Sequence, residues 1–215
     1  MEEAVIRHYQ KPDRDSVRKI SWDTAFMGEP AGIFFEGQDV LADFLTRYFT
    51  DYEPESCFVA ESGGKVVGYL IGAKDTRVLA KKFLFGIFPA LLIYAFLKGV
   101  FFKKKNHIFF LNLLKSIFNG EFKMPDFSKD YPATLHINLA AGFRHSGIGS
   151  KLIQAYFDYL QAHNVKAVQL ATMSEHSAEF FVKQGLCQLF AGKRTYFRYL
   201  TKKDTPVFIY GKKIA

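Results

Sequence analysis

The 215-residue chain is poor in several residue types that define common classes of small protein. It has two cysteines, Cys57 and Cys187, which are too few for a disulfide framework and lie in apolar, strand-like segments. We therefore expect two buried free thiols in a reducing compartment. Residues 1–4 are acidic and contain no apolar run, which argues against a secretory signal. The sequence indicates a cytoplasmic protein.

Acidic residues are almost missing from one segment, and this sets the charge of the protein. Residues 76–125 contain nine Lys or Arg residues and a single acid, Glu121, which accounts for the whole formal net charge of +8. The stretch from residue 78 to residue 122 also holds ten of the 24 phenylalanines. Because the remainder of the chain is balanced in charge, we treat residues 76–125 as an insertion with its own role.

Hydrophobic periodicity and turn residues predict a layered α/β (α+β) chain. A Gly-Gly pair at Gly63 and Gly64 predicts a hairpin. We expect one domain over residues 1–215, with three layers, a mixed and mostly antiparallel twisted sheet between helices, and a helical insertion between strands 3 and 4. Strands are predicted at residues 4–8, 57–61, 66–73, 134–140, 167–172, 186–190, 195–200 and 207–210, and helices at 13–26, from 38 onwards, 147–163 and 174–184.

The most informative motif is residues 141–150, Ala-Gly-Phe-Arg-His-Ser-Gly-Ile-Gly-Ser, which joins a predicted strand to a predicted helix. Backbone N–H groups at a helix start have no partner within the helix and carry partial positive charge. Gly147 and Gly149 would let a phosphate approach them, while Arg144, Ser146 and Ser150 add further donors. A diphosphate suits this arrangement. The plainer alternative is that the glycines only permit a tight turn.

The motif is not a dinucleotide-binding fingerprint, which needs a third glycine and an acid after the next strand. Here that strand ends in Leu170-Ala171-Thr172. Instead, Arg144-x-x-Gly147-x-Gly149 resembles the signature of the GCN5-related N-acetyltransferase (GNAT) superfamily. The resemblance continues into the next helix, where the family commonly reads Asn-x-x-Ala-x-x-Phe-Tyr-x-x-x-Gly-Phe. The corresponding residues here are Ser174, Ser177, Phe180, Phe181, Gly185 and Leu186.

The resemblance implies an acyl-CoA-dependent N-acetyltransferase that uses acetyl-CoA as its cosubstrate and needs no metal. It implies that backbone groups of Leu139 and Ala141 bond the pantetheine arm. It also implies that the amides of His145, Gly147, Gly149 and Ser150 hold the pyrophosphate. The residues expected to contact acetyl-CoA are Leu139, Ala140, Ala141, Arg144, His145, Ser146, Gly147, Ile148, Gly149, Ser150, Ser174, Ser177 and Phe181.

The chain departs from the family at the places that usually carry acid and base. The strand positions of the usual carboxylate or histidine fall at Ala133 and Leu135, and the usual tyrosine is Phe181, which has no hydroxyl. His136 is the nearest titratable residue and is the candidate base. Strand alternation places it on the opposite face unless the strand has a bulge, and its plainer role is a hydrogen-bonded sheet histidine. Alternatively, the amine arrives neutral and a water relays its proton.

The insertion admits three roles. Residues 83–102 form an apolar run long enough to cross a bilayer, but Pro89, Lys98 and basic flanks on both sides argue against a spanning helix. Residues 79–120 could form a helical hairpin over the acceptor site, an amphipathic element on an anionic membrane, or a homodimer contact. The expected acceptor is a small-molecule or peptide amine. The aromatic residues cluster instead of alternating with lysines, so we expect no nucleic-acid partner.

Overall fold

The structure of the protein is a computed structural model that describes residues 3–214. Met1 and Glu2, on which the argument against a secretory signal partly rests, lie outside the described residues. The strands are β1 (Val5–His8), β2 (Cys57–Ser62), β3 (Lys65–Ala73), β4 (Ala133–Leu139), β5 (Ala167–Thr172), β6 (Cys187–Arg194) and β7 (Thr205–Lys213). The helices are α1 (Arg14–Thr24), α2 (Gln38–Tyr52), α3 (Thr76–Leu97), α4 (Lys104–Phe118), α5 (Ile148–Ala162), α6 (Glu175–Lys183) and α7 (Arg198–Thr201).

The seven strands form one sheet in the order β1-β2-β3-β4-β5-β7-β6. β4 and β5 are parallel, and the other neighbours are antiparallel. The predicted mixed, mostly antiparallel sheet is therefore confirmed. The β2–β3 hairpin turns at Gly63 and Gly64, whose φ angles of 57° and 71° are in the left-handed region that glycine adopts without a Cβ clash.

Side-chain alternation along the central strands creates a layer of helices on each face of the sheet. One face packs against α5 and α6 and forms the largest core cluster. The opposite face packs against α1. Within β2 and β3, the residues on the α5 face include Phe58, Ala60 and Leu70, and those on the α1 face include Val59, Tyr69 and Ile71.

Helix α5 lies close to the sheet because β3 has a glycine beneath it. The hydroxyl of Tyr156 donates to the carbonyls of Thr134 at 2.8 Å and Ala73 at 3.2 Å. A Cβ at Gly72 would lie 2.3 Å from Cζ of Tyr156, which is far inside van der Waals contact. Gly72 thus provides the space that the Tyr156 ring occupies, and this contact sets the position of the helix that follows the loop.

Two sequence predictions are wrong in this part of the molecule. Residues 195–200 form a turn leading into the short helix α7 and not a strand, because their aromatic side chains pack into a cluster with the insertion. Cys57 is buried as predicted, but Cys187 is exposed at the start of β6, so only one of the two thiols is shielded. Burial raises the pKa of the Cys57 thiol, which makes that thiol unreactive.

The insertion consists of α3 and α4, between β3 and β4 as predicted. Helix α3 contains a π-helical turn at Phe83–Ile87 and is long and apolar enough to cross a membrane by length and composition. The buried side chain of Asn106 holds α4 to the α1–α2 connection: it donates to the Glu36 carbonyl at 2.6 Å and accepts from the Glu36 N–H at 2.7 Å. The carboxylate of Glu121 accepts from the N–H of Thr195 at 2.7 Å. The insertion is therefore attached to the sheet domain at both ends of α4.

Candidate functional site

The sheet opens between β4 and β5. Ala133 pairs with Val168 and Thr134 pairs with Gln169, but beyond these residues the described register contains no further β4–β5 pairs. β4 nevertheless runs on to Leu139 and β5 to Thr172. Backbone groups that would bond a neighbouring strand are therefore left along the β4–β5 gap.

The backbone of Leu139 is oriented towards this gap. The N–H of Ala140 donates to the Val67 carbonyl at 2.9 Å, on the β3 side. Because consecutive residues of a strand direct their N–H and C=O groups to opposite sides, the N–H of Leu139 points towards β5. An extended polar chain placed in the β4–β5 gap would meet this donor.

The loop after β4 presents a run of free backbone donors. Residues 145–150 include the end of the loop and the first turn of α5. Among the described residues, none of these six N–H groups has a hydrogen-bond acceptor. Their alignment at a helix N-terminus gives the site partial positive charge without any charged side chain. An oxyanion is the ligand class that satisfies such a set.

The two glycines of this segment have different surroundings. Gly147 has φ of +80°, and a Cβ built on it would have no atom within 4 Å, so the space beside it is open. Gly149 is buried against Phe180, whose Cζ would lie 3.1 Å from a Cβ at this position. Gly147 thus satisfies the turn and also leaves open space beside the amides, whereas Gly149 permits close packing against Phe180.

Arg144 does not point at the free amides. Its guanidinium donates to the carbonyl of Gly28 at 2.6 Å and, more weakly, to that of Leu139 at 3.4 Å. We expected its fork to bind a phosphate, and the structure places it between the loop and the α1–α2 connection instead. The carbonyls of these two segments need a donor, and Arg144 supplies it. Sequence reasoning missed this link because nothing in the sequence around Gly28 indicates a partner 116 residues away.

The next helix contributes a cap and a core residue. The hydroxyl of Ser174 accepts from the N–H of Ser177 at 3.3 Å and caps α6. Phe181 is 5% exposed and packs in the main core, near the ring of Tyr210. The neighbouring Phe180 is the aromatic residue that lies against the start of α5. His176, at the start of α6, has its ring 5.3 Å from that of His145, so α6 also reaches the loop.

His136 lies on the α1 face of β4. The register between β3 and β4 is continuous from Gly68–Leu139 to Ala73–Thr134, so β4 has no bulge to reverse its faces. Ala133 and Leu135 are buried on the α5 face. His136 instead lies beside Asn138, whose Nδ2 is 3.4 Å from the ring Nε2 and donates to the Tyr69 hydroxyl at 2.8 Å.

Burial sets the protonation state of His136. Its side chain retains some accessible surface, but the ring lies deep among its neighbours, and this burial lowers its pKa to about 4. The imidazole is therefore neutral at physiological pH. A neutral ring keeps one nitrogen free to accept a proton or a hydrogen bond.

Other titratable side chains at or near the ends of strands and helices are dispersed. Glu61 is paired with Arg7 near the β1 edge of the sheet, and Asp75 caps the start of α3. Tyr94 is in α3, and Glu175 begins α6. No group of three or more His, Cys, Asp or Glu residues within residues 3–214 is arranged to hold a metal ion.

An aromatic cluster covers the side of the sheet domain where the α1–α2 connection, the insertion and the β6–β7 connection meet. Phe34 is central to it, with its ring 5.0 Å from those of Phe109 and Phe197. Phe26 lies 4.9 Å from Phe197 and only two residues before Gly28, which Arg144 contacts. The insertion therefore reaches the loop through the α1–α2 connection.

Residues 116–186, about a third of the chain, match the family described as the acetyltransferase (GNAT) family. No curated protein matches the chain. A solved structure of SsHAT has a TM-score of 0.71 at 20% identity and covers 99% of both chains. The polyamine N-acetyltransferase of Drosophila melanogaster has a TM-score of 0.59 at 13% identity, covering 98% of this chain and 100% of that one. The chain has the GNAT fold.

The resemblance first seen in residues 144–149 is thus confirmed at the level of the fold, and the family match includes those residues. Another GNAT-fold structure, yncA from Salmonella typhimurium, was solved with its cofactor acetyl-CoA and has a TM-score of 0.58 at 11% identity, covering 100% of this chain and 95% of that one. The family match spans β4, the loop, α5, β5 and α6, which are the elements around the β4–β5 gap.

Proposed function

We propose that the protein is an acetyl-CoA-dependent N-acetyltransferase. The observation that carries this proposal is the run of free amides at residues 145–150, which follows a strand that has separated from its parallel neighbour. The diphosphate of coenzyme A supplies the acceptors that those amides need. The GNAT fold and family match support the same ligand.

The described residues fit coenzyme A at both ends of its pantetheine arm. The arm contains amide groups, which suit the N–H of Leu139 and the backbone of Ala140 and Ala141. The pyrophosphate suits the amides of His145, Ser146, Gly147, Ile148, Gly149 and Ser150. Ser174 and Ser177 lie at the start of α6, beside the loop, and complete the proposed binding set with Phe181 behind them in the core. The open space at Gly147 is the entry point for the phosphates.

The reaction joins the acceptor amine to the acetyl carbon and breaks the carbon–sulfur bond. The amine nitrogen attacks the thioester carbonyl, the nitrogen loses one proton, and the thiolate of coenzyme A takes up one proton. A strand N–H directed into the β4–β5 gap can stabilise the negative charge that develops on the carbonyl oxygen. The chain therefore has to position the amine, remove its proton and exclude water.

His136 is our candidate for the group that accepts the amine proton. It is neutral at physiological pH and is attached to the strand whose end forms the site. A pKa near 4 makes it a weak base, so its contribution is to receive the proton only as the nitrogen–carbon bond forms. The alternative is a neutral amine whose proton leaves through water.

The acceptor is a small-molecule or peptide amine. In our proposal it binds beside the aromatic cluster, which forms a wall of the acceptor site. The insertion covers this wall and, in our proposal, shields the transfer from water. We place the protein in the cytoplasm. Its outward-facing insertion surface at residues 79–120 has two candidate partners, an anionic membrane and a second copy of the chain.

A cofactor-binding protein without turnover is the second candidate function. The residue at the usual position of the acid, Phe181, has no hydroxyl and is buried in the core. A longer acyl chain is a related alternative, since the insertion is rich in apolar side chains. Titrations with acetyl-CoA, coenzyme A and a long-chain acyl-CoA, followed by turnover on a panel of amines and peptides, separate these alternatives.

The binding site is tested by one substitution and its neutral counterpart. Ser146 is exposed in the loop, and its hydroxyl donates to the Phe143 carbonyl. Ser146→Glu places a carboxylate beside the free amides, where it repels a diphosphate and competes for the same donors. We expect acetyl-CoA to bind at least about tenfold more weakly to Ser146→Glu than to Ser146→Gln, which has the same shape without the charge. Isothermal titration calorimetry measures both constants.

Equal affinity of the two Ser146 variants would place the diphosphate elsewhere. Absence of any acetyl-CoA or coenzyme A binding by the wild-type protein would overturn the proposed function itself. Binding without turnover on any amine would favour the second candidate.

A further inference from the structure

Helix α3 exposes an unusually large apolar surface. It spans 22 residues, and its most apolar 18-residue window has a mean hydropathy of 1.7, yet only 17% of that window is buried. Phe85 and Leu97 are each 75% exposed. The exposed apolar side chains that matter most here are Leu84, Phe85, Ile93, Phe96, Leu97 and Phe102. Soluble monomers rarely leave such a contiguous set in water, and larger patches mark contact surfaces.

The inner side of α3 fixes its orientation. Ile87, Leu91 and Ala95 follow each other at four-residue spacing and are buried against the protein. Ile87 and Leu91 pack with Tyr48 of α2 and Ala73 of β3. Helix α3 therefore lies lengthwise on the sheet domain, with one stripe packed and the rest of its surface facing outwards.

Both ends of α3 are held by the same domain. The N–H of Thr76 donates to the Pro132 carbonyl at 2.7 Å, next to the start of β4. At the other end, Gly99 turns the chain towards α4, which Asn106 fastens to the α1–α2 connection. A helix held in this way cannot stand across a bilayer without tearing these contacts. It can lie in the plane of a membrane surface.

Basic side chains surround the apolar surface without acidic partners. Lys81, Lys98 and Lys103 are exposed, and within residues 3–214 no carboxylate forms an ion pair with any of them. The ammonium of Lys98 lies 5.5 Å from the ring of Tyr94, so its stem lies along the helix. The single acid of the insertion, Glu121, is occupied by Thr195. Glu36 and Asp39 line the same surface pocket as Lys98 and Lys103 without pairing with them, so lysines still outnumber carboxylates beside the apolar face.

We propose that α3 and the turn after it dock the protein on an anionic lipid bilayer, with the helix lying in the headgroup region. The apolar side chains enter the acyl boundary and the lysines contact lipid phosphates. A second copy of the chain fits this surface less well, because a symmetric contact would set one basic surface against another. This docking is independent of the proposed acetyl transfer, since it uses none of the residues of the β4–β5 gap.

Vesicle flotation of the full-length protein tests the proposal. The vesicles contain phosphatidylcholine alone or phosphatidylcholine with about a third phosphatidylglycerol, at low and at 0.5 M salt. We expect the protein to float with the anionic vesicles at low salt, with binding at least about tenfold weaker on neutral vesicles or at high salt. Absence of binding to anionic vesicles at low salt would overturn the proposal.

Two variants locate the surface. The triple variant Phe85→Ser, Phe96→Ser and Leu97→Ser removes exposed apolar side chains, and the triple variant Lys81→Gln, Lys98→Gln and Lys103→Gln removes exposed charges. We expect each to weaken anionic-vesicle binding at least about tenfold. A matched control, Val5→Ser with Val182→Ser, removes exposed apolar side chains from β1 and α6 and leaves binding unchanged. Circular dichroism and thermal melting confirm that each variant is folded.

Equal vesicle binding by wild type and both triple variants would refute α3 as the docking surface. A concentration-dependent dimer in analytical ultracentrifugation that the serine variant abolishes, combined with no vesicle binding, would assign the surface to a second copy instead.

Discussion

The protonation state of His136 is set by its surroundings in the fold and not by its residue type alone. A histidine in sequence indicates a group that titrates near neutrality. In the fold, burial on the α1 face of β4 lowers its pKa to about 4 and makes the ring a neutral hydrogen-bonding group. Its proximity to Asn138 and Tyr69 supports a structural role as well as a chemical one.

Kinetics separate these two roles. If His136 receives the amine proton, His136→Gln lowers kcat by about 10²- to 10⁴-fold and leaves the affinity for acetyl-CoA within about twofold. Thr134→Val is the control, because Thr134 lies two residues earlier on the same face and is assigned no role in the reaction. Steady-state rates from pH 6 to 9 provide the measurement. A His136→Gln variant with a lower melting temperature and unchanged kcat would make the histidine a structural residue only.

The position of the Arg144 guanidinium differs from the one that its sequence motif indicates. The signature indicated a phosphate-binding side chain at this position, but in the structure the guanidinium donates to the Gly28 carbonyl and does not lie at the free amides. Sequence spacing reports which residue types a loop contains. It does not report which of several nearby acceptors a long side chain will reach.

Among the elements, the contact between α5 and β3 is the one that most directly positions the loop. A Cβ at Gly72 would overlap the Tyr156 ring, whose hydroxyl is bonded to two strand carbonyls. We expect Gly72→Ala to lower the free energy of unfolding by about 1–3 kcal/mol through overpacking, measured by urea denaturation. Gly142→Ala is the matched control, because a Cβ there would have no atom within 4 Å.

A double-mutant cycle checks the cause of the Gly72 effect. Tyr156→Leu removes the ring, so adding Gly72→Ala to it is expected to cost less than Gly72→Ala costs alone. Strictly additive losses would mean that the Tyr156 ring is not what the new methyl group meets.

Most elements followed from local sequence signals. The hairpin at Gly63 and Gly64, strand β5 and the helix after the loop all carry strong periodicity or turn residues, and each was predicted to within a few residues. Residues 195–200 were predicted as a strand because they are rich in Tyr and Phe. These aromatic side chains pack against α4 and not within a sheet, and only the tertiary structure reveals that neighbour.

Part of the candidate site also followed from local sequence. The run of free amides depends on a glycine pattern that is local in sequence, so residues 145–150 could be identified in advance. The separation of β4 from β5 depends on pairing between segments more than 30 residues apart. No single segment encodes that gap, and the faces of α3 likewise depend on which side the sheet domain covers.

For the whole molecule, the pH dependence of folding depends partly on a link across three elements. Arg7 of β1 donates to Asp13, which precedes α1, and to Glu61 of β2. The bond from Arg7, with a smaller contribution from the Gln10 N–H, holds the pKa of Asp13 below its usual 3.8. A carboxyl whose pKa is lower in the folded state stabilises the fold above about pH 4 and loses that contribution as the pH falls through its folded pKa.

Asp13→Asn tests this link. We expect the variant to be less stable than wild type by about 1–3 kcal/mol at pH 7, with the difference shrinking between pH 4 and pH 2. Urea unfolding at pH 7, 5 and 3 measures it. Asp23→Asn is the control, since Asp23 pairs with Lys19 on the surface and is expected to change stability by less than about 1 kcal/mol. A constant difference from pH 7 to pH 3 would contradict the assigned role of the Asp13 charge.

The β4–β5 gap also has a mechanical meaning. The sheet consists of two parts, β1-β2-β3-β4 and β5-β7-β6. Within the described residues, two residue pairs between β4 and β5 join these parts. Helix α5 lies on one face of the sheet, and its buried residues belong to the same core cluster as residues from both sides of the gap. The Lys212 ammonium of β7 also lies over the Phe157 ring of α5. A pantetheine arm bound in the β4–β5 gap would form hydrogen bonds that the two strands do not form with each other. The cosubstrate would therefore complete the sheet as well as take part in the reaction. The mechanical resistance of the two parts of the sheet to separation would then depend on whether the β4–β5 gap is occupied.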